Sequence, residues 1–220
     1  MKLAKFLIIG LIMTISFAGL SCKKSNPNPN VTPSSTTSAS GTNDLTTVIP
    51  SSLDVSLKTY LDQAKLRARE WKQDAVLAQV TVKLPIDLVA GEASQTYTFG
   101  SASDSLNWWT MSISEITGKY VRAIIPKEDY LGNSLTPINE YYWKENYLSA
   151  FQIAELFSGK EFRKNNKDVL VTITLANGEP KGWLWWNVEY KTQDGEATNR
   201  VLVNPYDKSI VDETGNIISR

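Results

Sequence analysis

The rhythm of the chain between residues 76 and 211 limits its fold more than any other feature. Short runs of β-branched and aromatic residues follow one another, most of them stopped by Gly, Asn, Asp, Ser or Pro. Val76 to Lys83 alternates Val76, Ala78, Val80 and Val82 with Leu77, Gln79, Thr81 and Lys83, the period of a half-buried strand. Gln95 to Phe99, Asn107 to Ile116 and Lys119 to Ile125 continue the series until Pro126 stops it. A second series reads Asp168 to Leu175, Trp183 to Thr192, Arg200 to Val203 and Ile210-Val211, with Asn177-Gly178 and Asp194-Gly195 as turn signals. A helical pattern precedes each series. Ser51-Ser52-Leu53-Asp54 is a capping-box start, after which Leu57, Tyr60, Leu61, Ala64, Ala68 and Trp71 share one face, opposite Lys58, Asp62, Lys65, Arg69 and Lys72. Tyr147, Ala150, Phe151, Ala154, Leu156 and Phe157 make the second helix, with Gly159 expected as its C-terminal cap. The sum is an α+β fold, a helix packed on an antiparallel sheet, in two related halves at 51–135 and 136–220.

The halves invite a closer comparison. Asp74-Ala75-Val76-Leu77 and the residues after it parallel Asp168-Val169-Leu170-Val171, and a later strand carries Trp108-Trp109 in one half and Trp185-Trp186 in the other. A duplicated helix-on-sheet unit accounts for this, as do two ordinary amphipathic strands. The stretch Ala68-Arg69-Glu70-Trp71-Lys72-Gln73-Asp74-Ala75-Val76-Leu77, the run from Gly91 to Ser101 with Tyr97 and Phe99, and Trp186-Asn187-Val188-Glu189-Tyr190 leading to Arg200 to Pro205 resemble the PepSY family. That resemblance implies a helix across a short antiparallel sheet of cystatin-like shape. It also implies a module that binds or restrains another polypeptide and catalyses nothing.

The first residues speak of location. Met1-Lys2-Leu3-Ala4-Lys5 is a basic start, Phe6 to Ala18 is apolar, and Phe17-Ala18-Gly19-Leu20-Ser21 leads into Cys22, the one cysteine of the chain. This resembles a bacterial lipoprotein signal, which implies removal of residues 1–21 and acylation of Cys22, with palmitate-type chains holding the protein to a bilayer. An unpaired thiol in an exported protein is otherwise a redox liability. Residues 22–50 are then a tether: Lys23 to Thr47 is rich in Ser, Thr, Asn and Pro, and an unordered segment of that length spans roughly 25 to 30 Å. Lys23 and Lys24 stand where inner-membrane retention signals carry acids, so the resemblance implies a Gram-negative outer membrane with the domain facing the periplasm.

Composition removes whole classes of chemistry. With no histidine, Ser-His-Asp and Cys-His catalysis and His-based zinc sites are excluded. The balance of 23 basic and 23 acidic residues gives no footprint for nucleic acid. Glu140 with Glu145, or Glu128 beside Asp129, are the carboxylates left for acid-base work, and Asp212-Glu213-Thr214-Gly215-Asn216 offers either calcium ligands or a polar turn. No cofactor motif occurs, no metal is expected, and the chain is not expected to be an enzyme.

Aromatic residues remain. In the strand from Trp183, the residues Leu184, Trp186, Val188 and Tyr190 read as core, and Trp183, Trp185, Asn187 and Glu189 as the opposite face. In the same way Trp109, Met111 and Ile113 face inward and leave Trp108 with Thr110, Ser112 and Ser114. Trp108, Trp183 and Trp185 are therefore the candidate ligand-binding residues. The first reading is an envelope lipoprotein that binds a protein or peptide partner; the second is a glycan-binding lipoprotein that uses this tryptophan face.

Overall fold

A computed structural model of the chain describes residues 53–219 apart from 87, 89–91 and 131–134. The signal peptide, Cys22, the tether and the capping box at Ser51 lie outside the described residues. Helix α1, Leu53–Trp71, runs for 19 residues. Leu61, Ala64 and Ala68 are buried at three- and four-residue spacing, while Asp62, Leu66, Arg69 and Glu70 point outward.

Strands β1 (Val76–Leu84), β2 (Ser94–Gly100), β3 (Asn107–Ser114) and β4 (Tyr120–Pro126) follow α1. Helix α2 (Tyr147–Ala154) continues through a π-helical turn, Glu155–Gly159, into α3 (Lys160–Asn165). Strands β5 (Val169–Gly178), β6 (Trp183–Thr192), β7 (Thr198–Val203), β8 (Ile210–Val211) and β9 (Ile217–Ser219) complete the order. Among the described residues all belong to one nine-stranded sheet, β4-β3-β2-β1-β5-β6-β7-β8-β9. Every neighbouring pair is antiparallel.

The first strand of each series meets the other at the middle of the sheet, where Val80 opposes Leu175 and Val82 opposes Ile173. Both halves therefore share one sheet and the larger of two buried clusters, in which Tyr97, Phe99 and Met111 join Ile173, Trp186 and Val188. Each large apolar side chain buried there contributes about 1.5–3 kcal/mol. Helix α1 lies against β2 and β3; α2 lies against β6 and β7.

Three local readings are corrected. A bulge in β1, between Leu77 and Gln79, breaks the expected alternation, so that Leu77 and Val80 both reach the core and Val76 is exposed. Gly159 does not cap a helix. Its φ of −63° is helical, and a side chain is forbidden because a Cβ would lie 2.2 Å from the Tyr190 hydroxyl oxygen. Asn177-Gly178 is not the β5–β6 turn but the end of β5, opposite Leu184 and Trp183. The reversal comes later, at Lys181 and Gly182, whose φ values of 67° and 66° carry the chain back.

Among the described residues no helix is long and apolar enough to cross a membrane.

Candidate functional site

One face of the sheet is taken by the helices, and the other presents Gln79, Thr81, Thr96, Thr98, Thr172, Thr174 and Asn187, by register opposite or beside one another. Trp108 and Trp185 stand on this second face, and both are buried. Tyr130 and Lys127, from the segment after β4, cover Trp108, with the Tyr130 ring 6.4 Å away and Lys127 Nζ 4.3 Å from the indole. Gly100 makes room for that indole, since a Cβ there would come within 2.5 Å of it. Trp185 is covered by Leu202 and Val211, and its Nε1 donates to Pro180 O at 3.0 Å.

Trp183 is different. It is 54% exposed, packs on Trp185 at 6.0 Å with 29° between the rings, and has Lys181 Nζ 4.9 Å from its centroid. Of the three tryptophans singled out from the sequence, the structure joins Trp183 with Trp185 and leaves Trp108 apart, across β2, β1 and β5. Four strand spacings amount to roughly 19 Å, so one platform made of all three does not exist. Covering side chains from later segments are the reason, and only Trp183 offers ring surface to a ligand.

Trp183 lines a pocket of about 560 Å³ at one end of the central strands, with Tyr142, Tyr206, Asn139, Asn177 and Asn204 among the other walls. Its position follows from a clamp. The indole N–H groups of Trp143 and Trp186 both donate to Glu145 O, at 2.9 and 2.7 Å, and the backbone N–H groups of Lys144 and Glu145 both donate to Pro205 O at 2.9 Å. The segment 139–145 is thus tied to the β7–β8 loop. Tyr141, Tyr142 and Tyr206 then meet as a cluster, with ring centroids 5.2, 6.3 and 6.2 Å apart, and all three are about half exposed or more. Lys144 Nζ lies 4.9 Å from the Tyr141 ring. A contiguous exposed aromatic group of this kind is rarer than a single exposed ring and points to recognition.

The three asparagines are oriented by their own hydrogen bonds. Asn139 Oδ1 accepts from Tyr141 N at 3.1 Å, and Asn204 Oδ1 from Tyr206 N at 2.8 Å. Asn177 Nδ2 donates to Pro137 O at 2.8 Å and to Thr136 Oγ1 at 3.0 Å. Those partners fix which end of each amide is which. Sequence reading singled out Trp183 but missed the rest of this pocket, because its other walls come from the segment before α2, the end of β5 and the β7–β8 loop, where each is an ordinary Asn or Tyr in a polar stretch. The Tyr141-Tyr142-Trp143 run was the one visible signal.

The carboxylates do not converge. Glu140 is held by Lys65 at 2.7 Å, while Glu145 accepts from Ser149 Oγ at 2.7 Å and lies 3.3 Å from Lys208 Nζ. Glu128 and Asp129 sit exposed in a 3-10 turn. Asp212 is the anchor of its own turn: its Oδ1 accepts from Thr214 Oγ1 and from the backbone N–H groups of Thr214 and Asn216. The Thr214 hydroxyl and then those backbone donors lower its carboxyl to about 2. Asp74 is held well below the usual carboxylate range by the hydroxyls of Ser101 and Ser103 and by Ser103 N. A more buried carboxylate, Glu115, accepts from Ala93 N, Gln95 Nε2 and Tyr147 Oη, and so ties β2 to α2 beneath the core. Among the described residues, no group of three acidic, Cys or His side chains is placed to hold a metal ion.

Protein-family models, curated proteins and solved structures show no match to this chain.

Proposed function

We propose that this chain is a lipid-anchored, non-catalytic binding module of the bacterial envelope, built of two PepSY-like halves, that holds an extended polypeptide. The free edge of β4 is the observation that carries the reading. Among the described residues β4 pairs only with β3, so its other side presents backbone groups that meet no described strand. It also overhangs the core. Ile124 opposes Trp109 on the helix face and Val121 opposes Ser112 on the other, yet they are 57% and 71% exposed. An incoming strand would satisfy the backbone edge and cover both apolar side chains. Only a polypeptide backbone supplies donors and acceptors at that spacing, so the edge selects the class of partner. The order of the sheet supports tandem halves, because each series runs outward from the β1–β5 pair after its own helix. Cys22 and the apolar run before it support the anchor.

The test is photocrosslinking in intact cells from a benzophenone side chain at Val121, in the full chain. The expected result is an envelope polypeptide adduct that disappears when Ile124→Pro removes a backbone donor and bends the edge. An adduct that survives Ile124→Pro, or none in which a polypeptide is found, would sink the reading. Circular dichroism of the variant confirms that the sheet is intact.

A further inference from the structure

We infer that the pocket bounded by Trp183, Tyr142 and Tyr206 is a binding site for a neutral oligosaccharide. The inference goes beyond the polypeptide-binding reading and adds a second, independent site. The pocket lies at the end of the strands toward the β5–β6 and β7–β8 turns, whereas β4 is the outer edge of the sheet.

Three features select the ligand. The first is the aromatic wall. Trp183, Tyr142 and Tyr206 are each about half exposed and are held in place by ring contacts rather than free to collapse. Sugar rings present flat C–H faces that stack on such surfaces, and aromatic walls with a few placed polar groups are the usual form of a small-ligand site. The second is the hydrogen-bonding complement. Each asparagine spends one end of its amide on the protein and keeps the other: among the described residues Asn139 Nδ2 and Asn204 Nδ2 meet no acceptor, and Asn177 Oδ1 meets no donor. Two fixed donors and a fixed acceptor suit hydroxyl groups, which both give and receive. The third is charge. The residues that line the pocket carry no formal charge, and Lys181 and Lys144, next to its walls in sequence, are directed to aromatic rings, with Lys181 also donating to Gly215 O at 3.0 Å. A phosphate or uronate would find no counter-ion in the wall. An extended peptide is the weaker fit, because the walls named here are side chains and offer no strand edge of the kind β4 offers.

A volume of about 560 Å³ falls inside the range of roughly 300 to 1,000 Å³ typical of small-ligand sites. The pocket is open to solvent along the exposed rings, so a chain of sugars can run through it and be held at an internal unit.

The inference is tested on the full chain in detergent micelles, by intrinsic fluorescence and calorimetry. The probes are cello-, xylo-, malto- and chito-hexaose, polygalacturonate as an anionic arm, and a proline decapeptide as a peptide arm. At least one neutral hexasaccharide is expected to bind saturably with a shift in tryptophan emission. Trp183→Ala should weaken it at least tenfold and Tyr206→Ala several-fold, with near-ultraviolet circular dichroism otherwise retained. Asn204→Asp, which keeps the shape and adds a charge, should weaken binding as well. Val121→Lys, at the β4 edge, should leave sugar binding unchanged. Binding of polygalacturonate or the decapeptide alone overturns the inference, as does saturation by none of the neutral sugars at roughly ten millimolar, or neutral-sugar binding that Trp183→Ala leaves intact. Loss of the pocket reading leaves the β4 crosslink standing, and loss of the crosslink leaves the sugar titration standing.

Discussion

The dipeptide Trp-Trp occurs twice, as Trp108-Trp109 in β3 and Trp185-Trp186 in β6, and the sheet divides the two pairs in the same way but covers them differently. In each, the second indole enters the core. Trp109 meets Phe99 edge-on at 5.7 Å; Trp186 meets Trp143 at 5.9 Å and also donates to Glu145 O. In each, the first indole lies on the opposite face and is covered, but by different means. Trp108 is covered by a segment that returns over it, Lys127 to Tyr130, in which Tyr130 is itself only partly exposed. Trp185 is covered partly by Trp183, two residues earlier on its own strand, and that cover is itself exposed. The same local pattern therefore ends as a closed face in one half and an open aromatic pocket in the other. Alternation along a strand assigns the side of the sheet; what comes to lie on that side is decided by distant loops.

The largest break in the comparison is expected in the core pair. Trp186→Ala should cost about 3–5 kcal/mol for the cavity alone, and the lost bond to Glu145 O frees the clamp that shapes the pocket. Trp109→Ala should cost less, since its indole contributes packing without that clamp. Urea unfolding of both variants measures the difference, and equal losses would show that the clamp contributes nothing to stability.

Two glycines separate the halves next. Gly100 has the Trp108 ring 2.5 Å from its would-be Cβ, whereas Gly178, opposite Trp183, has nothing within 4 Å. Gly100→Ala should destabilise by about 1–3 kcal/mol and push Trp108 off β2. Gly178→Ala should fall within about 0.5 kcal/mol of the parent. Similar melting curves for the two would refute the account of how Trp108 is seated.

Much of this fold was legible, and the reasons it stopped being so are local. Each strand run from Val76 to Val211 lies close to where its β-branched and aromatic residues and the turn residues around it placed it, because a half-buried sheet selects those residue types. The joining of β1 to β5 into one sheet was not visible, since either strand reads as able to pair on both sides. The short β9 was missed in Ile217–Ser219, a run too brief to show a period. Gly159 was misread because a glycine demanded by a neighbour's ring looks, in sequence, like a glycine demanded by its own backbone. For the site, Trp183 was legible as lying off the core. Its partners Tyr142, Tyr206 and the three asparagines were not, because they come together only through the clamp at Glu145 and Pro205.

A smaller effect tests the cover over Trp108. Tyr130 Oη donates to Gln79 Oε1 at 2.5 Å and lies 3.3 Å from Thr98 Oγ1. Tyr130→Phe should cost about 0.5–1.5 kcal/mol and leave Trp108 covered. Tyr130→Ala should open it, giving acrylamide access to a tryptophan protected in the parent. If quenching does not rise, Tyr130 is not the cover.

The smallest effect is electrostatic, and it places the two regions side by side again. Asp74 fixes the Ser101–Ser103 turn that follows Gly100 on the Trp108 side; Asp212 fixes the turn that contains Gly215, whose carbonyl holds Lys181 against Trp183. Both carboxyls are lowered in the folded chain, so both hold their turns best when ionised. The direction follows: their contribution is complete above the unfolded carboxylate value near 4 and is lost as the pH falls through the folded one, which for Asp212 is about 2. Asp74 is exposed and Asp212 partly so, and water and salt therefore screen the effect, which should appear as loosened turns rather than unfolding. Carboxyl titration by NMR should give Asp74 the lower midpoint, because two hydroxyls, those of Ser101 and Ser103, donate to it, whereas Asp212 takes one, that of Thr214. Fluorescence from Trp183 should change with Asp212 and not with Asp74, and the reverse dependence would mean that the Lys181–Gly215 contact does not hold the pocket wall.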